Sequence, residues 1–290
     1  MLNKKYFLPS IISFVGFLFL VSMDSVIKLL GDTYSVVQLL FLNAIFSLIP
    51  LSFFIYKNHG LKFYKNQNYT FQIVRGIFHT IGFFCVLKGV LLLPLSVVYP
   101  VLFTSPLMLL VMSHFFLSDN INTIRVLAIL TGFLGVVISA ELFGTNIVLS
   151  LGVLYVFLGA FCIAITHLIT RKYNKLTSSY SAAFFSMVVS VIIFLFSTKF
   201  TFDVMTFNDL SLSFLGGMFA GLGISAVIYG SQTLPSSVFG LTSYFQIIFG
   251  VFLGWIVFRQ LPTLYNYIGI LIVISAGLML FYFDKSKKNI

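Results

Sequence analysis

The sequence predicts an all-α integral membrane protein of ten transmembrane helices, arranged as two inverted five-helix repeats. Three observations favour this fold class: the composition, the length of the apolar blocks and an internal duplication. Of the 290 residues, 59% are hydrophobic and only 8% are charged, whereas a soluble domain carries roughly 25% charged residues. The apolar blocks are about 20 residues long, which is the length that a helix needs to cross a bilayer core.

The duplication is clearest in residues 75–119, which match residues 216–260 at one constant offset without a gap. Pro94 falls on Pro235, 141 positions later, and three glycines before it fall on glycines. In each copy a glycine-spaced apolar helix ends at a Leu-Pro pair, and a second apolar helix begins at once. Repeats of this length in an apolar chain are typical of transporters built from two structural halves.

Ten apolar blocks are predicted to span the membrane. They are Phe7–Leu30, Val36–Tyr56, Phe71–Leu93, Leu95–Leu117, Ile124–Ala140, Ile147–Thr170, Ser179–Thr198, Leu210–Thr233, Ser236–Phe258 and Leu264–Phe283. The first five form a repeat over residues 1–143, and the last five form a repeat over residues 144–290. Because five is an odd number, the second repeat starts on the other side of the membrane and is inverted relative to the first.

The basic charge predicts the topology of the chain. With the N-terminus in the cytoplasm, 13 of the 17 lysines and arginines lie on the cytoplasmic side, and the outer side receives Lys28, Lys88, Lys199 and Arg259. This positive-inside bias fits an even number of helices with both termini cytoplasmic. The net charge of +10 is therefore a topology signal, and no nucleic-acid partner is expected.

Asp24 and Lys28 stand out because they lie one turn apart near the outer end of the first helix. A lone carboxylate inside a membrane is costly, and such residues usually face a cavity or a partner. Two interpretations stay open: Lys28 neutralises Asp24 in a structural pair, or Asp24 binds a substrate amine or sulfonium or carries a coupling proton. In the second repeat, His167 and Arg171 fall close to the equivalent positions.

Two further basic residues share one face of the third helix. Arg75 is either an interfacial anchor or a residue of the permeation path, and His79, one turn deeper, is either a satisfied core histidine or a proton relay. The predicted fourth helix contains Pro100 and Pro106, and Ser105 beside Pro106 corresponds to Gln246 in the second repeat. Polar residues at matching depths favour a central substrate site, although a glutamine can also join two helices.

Four segments of the chain resemble those of a known transporter family. SMDSVIKLL in the first helix, VRGIFHTIGFF in the third, LPLSVVYPVLFTSPL in the fourth and AILTGFLGVVI in the fifth resemble the ten-helix, EamA-type branch of the drug/metabolite transporter superfamily. The start of the first helix and the Arg-Gly pair are also similar to its subgroup of S-adenosylmethionine uptake carriers. The resemblance implies a bacterial cytoplasmic membrane, a central cavity and alternating access.

The preferred hypothesis is a secondary transporter of a small polar or zwitterionic metabolite, such as S-adenosylmethionine or an amino acid. The predicted substrate path comprises Asp24, Lys28, Arg75, His79, Tyr99, Ser105, Tyr229, Tyr244 and Gln246. The aromatic residues would offer stacking surfaces for a planar ring, and Lys28 and Lys88 would attract a carboxylate at the outer mouth.

The sequence has no G-x-x-x-x-G-K-[ST] loop, and no cofactor, metal or catalytic residue is expected. A drug or metabolite exporter is the alternative within transport. A membrane-embedded lipid-modifying enzyme is the alternative from another class, but the chain offers few of the acids and histidines that such chemistry needs. The expected partners are membrane lipids, a small-molecule substrate and a second copy of the chain in a homodimer.

Overall fold

The computed structural model describes residues 4–60, 63, 68–118, 123–139, 147–173, 178–234, 239, 242–243 and 245–284. Across these ranges the chain forms helices and short connections without a β-strand. The helices are α1 Lys4–Leu30, α2 Val36–His59, α3 Tyr69–Leu92, α4 Leu95–Leu102, α5 Thr104–Leu117, α6 Thr123–Ser139, α7 Ile147–Lys172, α8 Ser179–Ser197, α9 Phe207–Thr233, α10 Phe245–Phe258 and α11 Leu264–Asp284.

These helices make up ten apolar spans. Seven segments have both the length and the hydropathy to cross a membrane, and one of them, Leu95–Leu117, consists of α4 and α5 together. The other three spans are shorter apolar stretches within α6, α10 and α11. The predicted all-α membrane fold of ten helices is therefore confirmed, and the protein is a multi-pass membrane protein. We call the end of the bundle where α1 begins the basic face, and the end where α1 finishes the opposite face.

The two repeats have the same local structure. The end of α3 and the end of α9, the starts of α5 and α10, and the starts of α6 and α11 are each 141 positions apart. The second helix of each repeat begins after a serine, Ser35 or Ser178, whose hydroxyl accepts a hydrogen bond from the backbone N–H three residues later. The predicted boundary between residues 143 and 144 lies outside the described residues and stays a prediction.

Each repeat packs its first helix against the third helix of the other repeat. A Cβ added to Gly16 of α1 would lie 3.1 Å from the carbonyl oxygen of Gly223 in α9. The equivalent crossing joins α3 to α7, where a Cβ on Gly82 would lie 3.3 Å from the carbonyl oxygen of Gly159. Glycine at these positions lets the backbones approach closely. The two crossings fix the positions of α1 against α9 and of α3 against α7. Asp24 lies on α1 and Arg75 lies on α3.

The fourth span is divided into two helices, although the sequence predicts one continuous helix. α4 ends at Leu102 and α5 begins at Thr104. Between them, the N–H of Phe103 donates to the carbonyl oxygen of Tyr99 at 2.9 Å. Pro106 explains the break, because it has no N–H and its ring collides with the carbonyl group four residues earlier. The break places Ser105 at the start of α5, in the interior of the bundle.

Candidate functional site

A buried carboxyl group on α1 meets a buried tyrosine on α4. Asp24 is only 5% exposed, and Tyr99 is completely buried. The Tyr99 hydroxyl donates a hydrogen bond to Oδ2 of Asp24 at 2.7 Å. A carboxylate can accept about four hydrogen bonds, so this single contact leaves most of its capacity unused within the part of the chain that the structure describes.

Gly250 of α10 positions the ring of Tyr99. A Cβ on Gly250 would overlap the Cδ2 and Cε2 atoms of that ring, so any other residue at this position must displace the tyrosine. α10 packs against both α1 and α4. The Asp24–Tyr99 contact therefore lies where helices of the two repeats meet.

Lys28 does not neutralise Asp24, although the two residues are one turn apart. Its Nζ donates to the backbone carbonyl oxygen of Leu93, the residue that caps the C-terminal end of α3. The same ammonium lies 5.3 Å from the centroid of the Phe258 ring. Lys28 thus ties α1 to α3 near the opposite face. The structure therefore does not contain the predicted ion pair between Lys28 and Asp24. Among the described residues, Asp24 has no cationic partner.

Arg75 fastens α3 to α7 and α8 in the half of the bundle nearer the basic face. Its Nε donates to Oγ1 of Thr170 at 2.7 Å. One terminal nitrogen donates to Oγ of Ser186 at 2.5 Å and to the backbone carbonyl oxygen of Ala182. Arg75 as a whole is only 9% exposed. The geometry therefore favours an anchor between buried helices, rather than the predicted anchor at the membrane interface or a group that is free to bind a ligand.

We expect Arg75→Gln to lower the free energy of unfolding by about 2–4 kcal/mol, because buried acceptors on α7 and α8 would lose a charged donor. The measurement is the midpoint of thermal unfolding of the purified protein in detergent. Lys57→Gln on the exposed end of α2 is the matched control and should leave the midpoint unchanged. Equal midpoints for both variants would contradict the anchoring role.

Two histidines lie close to Arg75. His79 is one turn further along α3, and its buried Nδ1 has no hydrogen-bond partner in the described structure. His167 of α7 is near enough to both residues for their charges to interact. The sequence analysis aligns His167 with Asp24 through the repeat but does not place it on the path. The internal repeat is the sequence feature that could have identified His167 as a candidate site residue.

The remaining predicted path residues stay predictions, and the structure gives only the burial and surroundings of some of them. Ser105 is buried and Gln246 is half-buried, each as the second residue of its helix. Tyr229 is 37% exposed and lines a crevice of about 560 Å³ whose wall includes Lys57, in the half of the bundle away from Asp24. Tyr244 lies outside the described residues.

The described residues contain no cluster of three or more histidine, cysteine or acidic side chains that could hold a metal ion. Cys85 and Cys162 are both buried, free thiols.

Comparison with known proteins places this arrangement in a family. The model of the EamA-like transporter family matches the chain twice, over residues 8–140 and 150–282. The chain is similar to proteins named S-adenosylmethionine uptake transporter from Rickettsia conorii and Rickettsia bellii, with 26% and 24% identity, over 92% of this chain and 90% of each relative. A crystal structure with 16% identity has a TM-score of 0.67 over 96% of this chain and 98% of its own, which shows a common fold.

Proposed function

The chain belongs to the EamA-like transporter family, and we propose that it is a secondary transporter of a small metabolite that carries a cationic centre. In this proposal the substrate binds in the interior of the bundle, and the inverted repeats expose it to each side of the membrane in turn. The observation that carries the proposal is the buried carboxyl group of Asp24, which has a tyrosine and no cation beside it.

The chemistry of that contact supports a cationic ligand. An ionised carboxylate in a membrane interior is costly unless a positive charge balances it. Lys28 is the nearest cation along the helix, but its ammonium is bound to Leu93. A substrate amine or sulfonium would supply the missing charge, and the neighbouring aromatic ring of Tyr99 favours cations as well.

The relatives suggest which metabolite to test. S-adenosylmethionine, the compound in their names, carries a sulfonium, an amine and a carboxylate. We propose that this compound or a similar amphoteric metabolite is the substrate, and that the protein works in a bacterial cytoplasmic membrane with both termini inside. An exporter of such metabolites is the alternative.

The test is uptake of labelled S-adenosylmethionine into liposomes that contain the purified protein. We expect saturable uptake, strong competition by unlabelled S-adenosylmethionine and weaker competition by S-adenosylhomocysteine, whose sulfur is neutral. Chromatography of the recovered label should return the unchanged compound, whereas a chemically altered label would indicate an enzyme.

Protein-free liposomes are the control for leakage. Efflux from loaded vesicles is measured in parallel, because efflux without uptake would favour the exporter. If S-adenosylmethionine, methionine and lysine move in neither direction, the proposed substrate class is wrong.

A further inference from the structure

The inverted repeat places a histidine at the position that is equivalent to Asp24. A carboxylate favours cationic ligands, whereas an imidazole N–H favours anionic ones. The first two helices of the repeats align at an offset of 143, since Gly16 corresponds to Gly159 and the capping Ser35 corresponds to Ser178. The same offset carries Asp24 onto His167. The fold thus places an acid in one half of the bundle and an imidazole at the equivalent position in the other.

Contacts on either side place His79 and His167 at about the same level of two neighbouring helices. α3 and α7 are antiparallel neighbours, and Arg75 bonds Thr170 at one level. One level further along, a Cβ on Gly82 would lie 3.0 Å from the Cβ of Cys162. The two histidines lie between these levels.

The His167 side chain is exposed on a side of α7 that is otherwise buried. Ala160 and Ala164, on the same face of α7, are completely buried against residues such as Met108 of α5. His167 continues that inward face and is nevertheless exposed. An exposed imidazole on this face is accessible to a ligand.

Among the side chains that the structure describes, the charge near the two histidines is positive. Arg75 lies one turn from His79, and its N–H groups are engaged by uncharged acceptors, so its charge is not neutralised. The acidic side chains that the structure describes are Asp24, Asp32, Asp203 and Asp209, and all of them lie towards the opposite face. An anion is therefore the ligand that this pocket of N–H donors favours.

We propose that His79 and His167, backed by the charge of Arg75, form a second subsite that binds the carboxylate of the substrate. This inference rests on the proposed function and deepens it, because it makes the substrate amphoteric. The cationic group binds at Asp24 and Tyr99, and the carboxylate binds nearer the basic face.

The spacing of the two subsites limits the size of the ligand. α1 and α3 run in the same direction, and a Cβ on Gly31 would overlap the side chain of Leu91, so Asp24 is level with the region around Phe84. From there to His79 is about 8 Å along the helix axis, at a rise of about 1.5 Å per residue. A free α-amino acid, whose charges flank one carbon, contacts one subsite at a time. A longer amphoteric molecule reaches both.

The test compares S-adenosylmethionine with its decarboxylated form, which keeps the sulfonium and the amine. Their dissociation constants are measured for the purified wild type, His79→Leu and His167→Leu. We expect the wild type to prefer the carboxylate-bearing compound about tenfold, consistent with one charge-assisted hydrogen bond, and each variant to bind both compounds equally. His114→Leu, on the exposed end of α5, should retain the preference.

A preference that survives in both variants would overturn the inference. If S-adenosylmethionine does not bind, the same comparison is made with arginine, whose guanidinium is distant from its carboxylate, and with agmatine, using thermal stabilisation as the readout. Equal stabilisation by the two members of this pair would overturn the carboxylate subsite. Uptake of a cationic compound in liposomes would still support the proposed function, so the two failures are distinguishable.

Discussion

Asp24→Asn is expected to reduce the initial rate of substrate uptake at least tenfold while the protein remains folded. Asparagine keeps an oxygen that can accept the hydrogen bond from Tyr99, but it carries no charge to balance a cationic substrate. A hydrogen bond to a charged group contributes about 1.5–3 kcal/mol, which corresponds to roughly a 10- to 150-fold change in affinity.

The measurement is the concentration dependence of uptake in proteoliposomes, together with gel filtration and thermal unfolding of the same preparation. Asp32→Asn, at an exposed acid just beyond α1, is the matched control and should transport normally. Tyr99→Phe keeps the ring and removes the donor, so its loss should be smaller than that of Asp24→Asn. Normal uptake by Asp24→Asn would contradict a role in substrate binding and would indicate that Asp24 is structural.

Gly250→Ala is expected to produce the second large effect. The added methyl group would overlap the ring of Tyr99, which is completely buried. The ring must shift, and the hydrogen bond to Asp24 lengthens or breaks. Overpacking of this kind destabilises a protein by about 1–3 kcal/mol, and we expect uptake to fall at least as far as in Tyr99→Phe.

Gly254→Ala is the matched control for this substitution, because it is one turn away on α10. A Cβ there would lie 3.6 Å from the Cβ of Leu95, an ordinary van der Waals contact. We therefore expect Gly254→Ala to fold and transport like the wild type. If both alanine variants behave alike, the packing of Tyr99 against Gly250 does not control the site.

The sequence alone predicts the helices and their duplication because these depend on local properties. The apolar blocks match the thickness of the bilayer, and the constant offset of 141 reappears in the helix ends, such as Leu92 and Thr233. Pro106 indicates that the fourth span is distorted, but the sequence does not specify whether this proline bends the helix or ends it.

The sequence also named Asp24 and Tyr99 without showing that they touch, because 75 positions separate them. It named Lys28 as a partner of Asp24 on the basis of a one-turn spacing. Tertiary structure instead brings the carbonyl group of Leu93 to Lys28. The last carbonyl groups of a helix have no partner within it, and the end of α3 therefore competes successfully for the ammonium.

What the sequence by itself determined is the membrane fold, its ten spans and the family resemblance, all of which follow from hydropathy, repeat spacing and short motifs. Only the tertiary structure decided the partners of the polar residues. Arg75 bonds Thr170 and Ser186, and His79 and His167 lie at about the same level, because the close crossing at Gly82 sets the depth at which α3 and α7 meet. That depth depends on contacts between distant residues, which no local pattern in the chain specifies.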